Sequence, residues 1–151
     1  MRKTALCVVF SVLVCGAAFG QSFGGELEYN LTIAAIEGDA PKVKQLVEKG
    51  ADVNSKDGSG MTVLMETARE GNVEIMKILM EKGAKQNVQS SRGMTALMHA
   101  AEKGHVDAVA LLIEKGADVN LKNATGTSAL MLATTAGHPK VIELLKSKGA
   151  K

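Results

Sequence analysis

Apolar positions along this chain fall in short runs that return at one fixed step. Val63-Leu64-Met65, Ala96-Leu97-Met98 and Ala129-Leu130-Met131 each follow a Thr or Ser, and each run stops at a Gly. Gly38, Gly71, Gly104 and Gly137 are 33 residues apart. So are Gly50, Gly83, Gly116 and Gly149, and Gly60, Gly93 and Gly126 keep the same step. A fixed period of this size marks a solenoid of stacked units. The stretch from Gly93 to Asn120 shows the unit in full.

Within a unit the pattern predicts two short helices. Thr62, Thr95 or Ser128 caps the first, through a hydroxyl that accepts from a free N–H of the first turn. Gly71, Gly104 or Gly137 stops it in the left-handed region. Asp39 or Asn72 then caps the second helix, and Pro41 fits its first turn. Val43, Leu46 and Val47, and in the next unit Val73, Met76, Leu79 and Met80, fall at 3 and 4 spacing on one face. Glu74 and Lys77 point outward. A Gly-Ala pair closes the helix, Ala51 to Asn54 runs extended, and residues 55–60 have the composition of a hairpin-like turn. The helical pattern starts at Leu31, after a polar lead-in with a Gly24-Gly25 joint. One unit cannot bury its own apolar faces, and about three or more must stack for stability. The expected fold is all-α: four stacked helix-turn-helix units with hairpin-like loops, at about 29–56, 57–89, 90–122 and 123–151.

The N-terminus is a separate object. Met1-Arg2-Lys3 is basic, residues 4–14 form an apolar run, and Ala18 and Gly20 are small. That is the layout of a secretory signal peptide, with cleavage expected after Gly20. The run is shorter than the roughly 20 apolar residues of a spanning helix, so no membrane span is expected in the mature chain. Cys15 after an apolar triplet leaves a lipoprotein signal open, although Val14 stands where such signals usually carry a small residue. The short basic start and compact run look bacterial, and the expected location is the periplasm or outside the cell. Residues 21–28 are the lead-in, and 29–151 the repeat domain.

Cleavage changes the charge. The first 20 residues hold Arg2 and Lys3 and no acid, so Lys+Arg falls from 18 to 16 against 16 Asp+Glu. The mature domain then has no net charge. Aromatics are 3% of the chain. Stacking platforms for bases are few and nothing suggests a basic stripe, which argues against nucleic acid. Both cysteines, Cys7 and Cys15, lie in the signal. The mature domain is left with no thiol for a disulfide, a nucleophile or a metal.

At Gly93-Met94-Thr95-Ala96-Leu97-Met98, Ala100-Ala101-Glu102-Lys103-Gly104-His105 and Gly116-Ala117-Asp118-Val119-Asn120 the chain resembles the ankyrin repeat family. The resemblance runs from about residue 29 to 151. It departs at the family's Pro, replaced by Val63, Ala96 and Ala129, and at the family's His, replaced by Met65, Met98 and Met131. These methionines are expected to pack between units as adaptable apolar fillers. The first unit, with Glu28-Tyr29-Asn30 in place of the Gly-x-Thr start, looks like an N-terminal cap. The last helix, with Lys140, Glu143, Lys146 and Lys148, is polar enough to be a C-terminal one. The resemblance implies a non-enzymatic protein-protein interaction scaffold, expected to be monomeric, with a concave face of loop tips and first helices that grips a partner protein.

No catalytic constellation, metal site or cofactor is expected. His105 and His138 sit at the family's Gly-His position and read as framework. His99 does not recur, since Glu66 and Leu132 hold the equivalent places. No nucleophile or orienting carboxylate accompanies it. Asp52, Asn54, Asp118 and Asn120 look like Ca²⁺ ligands, but they recur once per unit and read as loop supports. Residues 56–60 are Gly-rich without the Lys-Ser/Thr ending of a phosphate loop. What differs between units is a surface. The candidate partner-binding residues are Ser59, Met61, Arg69, Glu70, Ser91, Arg92, Met94, Glu102, Lys103, Thr125 and Thr127. Met61 and Met94 could equally pack finger against finger.

Overall fold

A computed structural model describes residues 25–151. The expected signal peptide, both cysteines and residues 21–24 lie outside the described residues. The described chain is all-helical: α1 (Glu26–Glu37), α2 (Ala40–Glu48), α3 (Val63–Glu70), α4 (Val73–Glu81), α5 (Ala96–Lys103), α6 (Val106–Glu114), α7 (Ala129–Ala136) and α8 (Pro139–Ser147). The first helices α1, α3, α5 and α7 pack on one another in order, and so do the second helices α2, α4, α6 and α8. The result is two helix layers with the core between and within them, the arrangement expected when each unit lends its apolar face to the next.

The caps follow the sequence. Thr62, Thr95 and Ser128 accept from the N–H groups of Met65, Met98 and Met131. Asp39 and Asn72 accept from Lys42 and Ile75 N–H. His105 and His138 hold the same N-cap place without capping. Each instead reaches back one unit: His105 Nε2 lies 2.9 Å from Arg69 O, and His138 Nε2 lies 2.9 Å from Glu102 O. These ring positions explain two glycines, Gly71 beside His105 and Gly104 beside His138. Gly104 has φ +79, and a Cβ there would meet His138 Nδ1 at 2.6 Å. Only glycine gives both the backbone angle and the space.

Three differences from the sequence reading have physical causes. Helix α1 begins at Glu26, ahead of Leu31, because Glu26 and Glu28 suit the positive end of a helix. Glu28 Oε1 also accepts from Asp52 N–H at 3.1 Å. Residues 53–54 form a turn, not an extended run, since Asn54 N–H donates to Asp52 Oδ1 at 2.8 Å. The buried face of α4 is Ile75, Met76 and Leu79, with Val73 and Met80 only half-buried. That helix packs against α3, α2 and α6 at once, which turns Ile75 inward.

The methionines that replace the family's His behave differently along the stack. Met65 and Met98 are each 1% exposed, packed between units, whereas Met131 is 47% exposed. Among the described residues no further unit covers α7. Lys140, Glu143 and Lys146 on α8, and Lys148 just after it, are exposed, as the sequence implied.

Candidate interaction groove

The loop tips are held by one residue per unit. Asp57 Oδ1 accepts from Ser59 N–H, Ser59 Oγ and Met61 N–H at 2.7 to 2.9 Å. Asn123 Oδ1 does the same for Thr125 N–H, Thr125 Oγ1 and Thr127 N–H. In the middle unit Ser90 Oγ accepts only from Met94 N–H, at 3.2 Å. Adjacent tips are tied through backbone: Ser91 N–H donates to Ser59 O at 2.9 Å, and Ala124 N–H to Arg92 O at 3.0 Å. Such close approach is why Gly93 has no side chain; a Cβ there would meet Ala124 N at 2.6 Å. The tips therefore form a fixed row, not three independent loops.

A second set of bonds fixes the loop bases. Asn54, Asn87 and Asn120 each grip the following unit. Asn87 Oδ1 accepts from Asp118 N–H at 2.8 Å while its Nδ2 donates to Gly116 O at 3.3 Å. Asn54 bonds Lys85 N–H and Gly83 O in the same way, and Asn120 bonds Lys151 N–H and Gly149 O. Asp118 Oδ1 accepts from Asn120 N–H. These Asp and Asn side chains thus serve loop backbone. Among the described residues no group of three or more His, Cys, Asp or Glu could hold a metal ion.

Between the row of tips and the first helices lies a groove of about 730 Å³. From the tips it is lined by Ser59, Met61, Ser91, Arg92, Met94 and Thr125. Arg69 and Glu102 line it from the helices. Of the candidates named from sequence, Glu70, Lys103 and Thr127 lie outside this lining. Thr127 is half-buried within its own tip, its Oγ1 3.0 Å from Thr125 Oγ1. Met94 faces the groove and also meets the neighbouring finger, its sulfur accepting from Asn123 Nδ2 at 3.5 Å.

Sequence reasoning left out of the binding list the floor of the groove. Glu66, His99 and Leu132 line it at one position per unit. Their 33-residue spacing and their change of type from unit to unit were visible; what was not visible is that the position faces the groove. Arg69 Nη2 lies 2.8 Å from Glu66 Oε2, and Arg69 Nε lies 3.5 Å from Glu70 Oε1. Glu66 Oε2 is shut off from solvent and has this ion pair but no hydrogen bond. Burial raises the Glu66 carboxyl above its ordinary value; Arg69 pulls it back and Asp57 and Glu70 push it further up. Burial lowers His99 below its ordinary value, Glu102 opposes this, and Arg69 and Lys103 add to it. Both His99 ring nitrogens are shut off from solvent and have no hydrogen-bond partner.

Comparison with known proteins agrees with the geometry. The family model described as ankyrin repeats (3 copies) matches residues 31–123 and again residues 87–151. No curated protein matches the chain. Among the described residues no helix is long and apolar enough to cross a membrane. Ankyrin repeats are in general non-enzymatic protein-interaction modules. With four two-helix units among the described residues, tied finger rows and a family match that runs from residue 31 to 151, this chain belongs to the ankyrin repeat family.

Proposed function

We propose that this chain is an exported scaffold that grips a partner protein along the groove between its loop tips and first helices. It acts as a monomer and carries out no chemistry of its own. The observation that carries this reading is where the variation falls. Eight of the eleven candidates named from the variation between units, Ser59, Met61, Arg69, Ser91, Arg92, Met94, Glu102 and Thr125, share one groove. Framework glycines, caps and Asn grips hold them in place. A rigid surface loses little entropy on binding, which favours recognition at this site. Export rests on the layout of residues 1–21.

The test uses exposed or half-exposed positions, so that folding is spared. The triple change Arg69→Ala, Arg92→Ala and Glu102→Ala abolishes affinity capture of partner from the exported fraction and leaves thermal unfolding nearly unmoved. Capture at the wild-type level by the triple variant refutes the groove as the binding site. N-terminal sequencing tests export: a chain beginning at Gln21 supports it, and a lipid-modified Cys15 replaces it with an anchored form.

A further inference from the structure

The middle unit departs from the loop-tip pattern in a way that its own fold does not need. Ser59 and Thr125 hold the places 33 residues before and after Arg92. Each turns its hydroxyl back onto the residue that supports its tip, Asp57 or Asn123. Arg92 gives up that local bond. Its side chain is exposed and has no hydrogen bond or ion pair with any described residue. A small hydroxyl residue would hold the tip better, so the framework does not call for an arginine there.

Across the groove, Glu102 stands on α5 at the place that Arg69 holds on α3. Arg69 is committed to carboxylates of its own helix, Glu66 at 2.8 Å and Glu70 at 3.5 Å. Glu102 is exposed, and its carboxylate has no partner among the described residues. Both free residues sit on clamped backbone. Ala124 N–H donates to Arg92 O at 3.0 Å, and His138 Nε2 lies 2.9 Å from Glu102 O. Arg92 and Glu102 both line the groove, and no ion pair joins them across it. The remaining charges of the lining, Glu66 and Arg69, neutralise each other. One unit therefore presents an uncommitted cation from the tips and an uncommitted anion from the first helices.

Resting on the groove reading above, we infer that the groove recognises a partner-protein surface with an acid and a base side by side, the acid toward the tips and the base toward the first helices. Arg92 and Glu102 are the specificity-determining residues of the site, and they set which way round the partner sits. An exposed ion pair adds little affinity. Its value lies in discrimination: a partner turned the wrong way, or with the charges exchanged, brings like charges together, which costs far more than the right pair gains. Met61 and Met94 give the same surface an adaptable apolar contact.

The test pans a phage-displayed library of a small folded domain with one randomised face against the full repeat protein. Groove binders are the clones weakened by the triple change Arg69→Ala, Arg92→Ala and Glu102→Ala. Each is then measured against Arg92→Ala, Glu102→Ala and the charge-reversed protein Arg92→Glu with Glu102→Arg. Both positions are exposed, and thermal unfolding of each variant verifies folding. Groove binders carry an acid and a base at neighbouring positions and lose about tenfold or more in affinity on charge reversal. Replacing the acid of the clone by Ala weakens binding to wild type and costs nothing further on Arg92→Ala. Replacing its base behaves in the same way toward Glu102→Ala. Panning on the charge-reversed protein returns clones that wild type rejects. Groove binders that lack the acid–base pair, that tolerate charge reversal, or whose acid and base do not couple to Arg92 and Glu102 overturn the inference and leave the groove reading standing. If no clone responds to the triple change, the groove reading fails and the inference fails with it.

Discussion

At the scale of single residues, the clearest control is a pair of glycines with the same backbone and different neighbours. Gly104 and Gly137 have φ +79 and +77. A Cβ at Gly137 meets nothing within 4 Å, whereas one at Gly104 runs into the His138 ring. Gly137→Ala should cost about 1 kcal/mol for the left-handed angle alone. Gly104→Ala should cost clearly more in urea denaturation, and equal costs would mean that the histidine stack yields freely. The glycine stop was legible in sequence, but its second reason was not, because the ring that closes over Gly104 comes from the next unit. His99 gives a second prediction. Its folded-state value lies below the ordinary 6.5, so the unfolded chain takes up the proton first. Stability is full above that value and is lost as the pH falls below it. Glu66 is raised and works in the opposite sense, with stability gained as the pH falls through its raised value. Because Glu66 is present in both proteins, comparing wild type with His99→Leu isolates the histidine. Wild type should lose stability relative to His99→Leu below about pH 6.5, and a difference constant from pH 7.5 to 5 would contradict the buried neutral ring.

At the scale of elements, each short helix depends on its ends. An isolated helix of eight or nine residues is marginal in water, so α3 to α8 hold their shape through caps, glycine stops and neighbours. The caps at Thr62, Thr95 and Ser128 could be read directly, because capping is local chemistry. The loops could not be read as fully. The grip of Asn87 depends on Gly116 and Asp118, groups in the next unit. Asn87→Ala removes the acceptor for Asp118 N–H and the donor for Gly116 O together. It should destabilise by about 1–3 kcal/mol while helical circular dichroism of the folded state stays unchanged. A loss below half that range would show that water replaces the grip. The same limit explains the groove. The residues that vary between tips were visible, but Glu66 and His99 became site candidates only when the row of tips was seen to stand opposite their helix face.

At the scale of the whole molecule, the stack treats equivalent residues unequally. Met98, 1% exposed, is enclosed between units, and Met131, 47% exposed, lies on an uncovered face of α7. Met98→Ala should cost about 2–5 kcal/mol, and Met131→Ala less than about 0.5 kcal/mol. Similar costs in chemical denaturation would mean that Met131 is packed. The sequence assigned all three methionines one role, since periodicity says which residues are equivalent and not which of them a neighbour covers. This inequality has a chemical consequence. A thioether open to solvent takes up oxygen from peroxide and becomes a polar sulfoxide, while an enclosed one is shielded. Brief peroxide treatment of the folded protein should therefore mark Met131 first, the half-covered Met61 and Met94 next, and Met65 and Met98 last. In an oxidising compartment the uncovered end of the stack would thus take the damage and spare the core. A partner protein seated in the groove would be seen, by mass spectrometry, as protection of Met61 and Met94 alone.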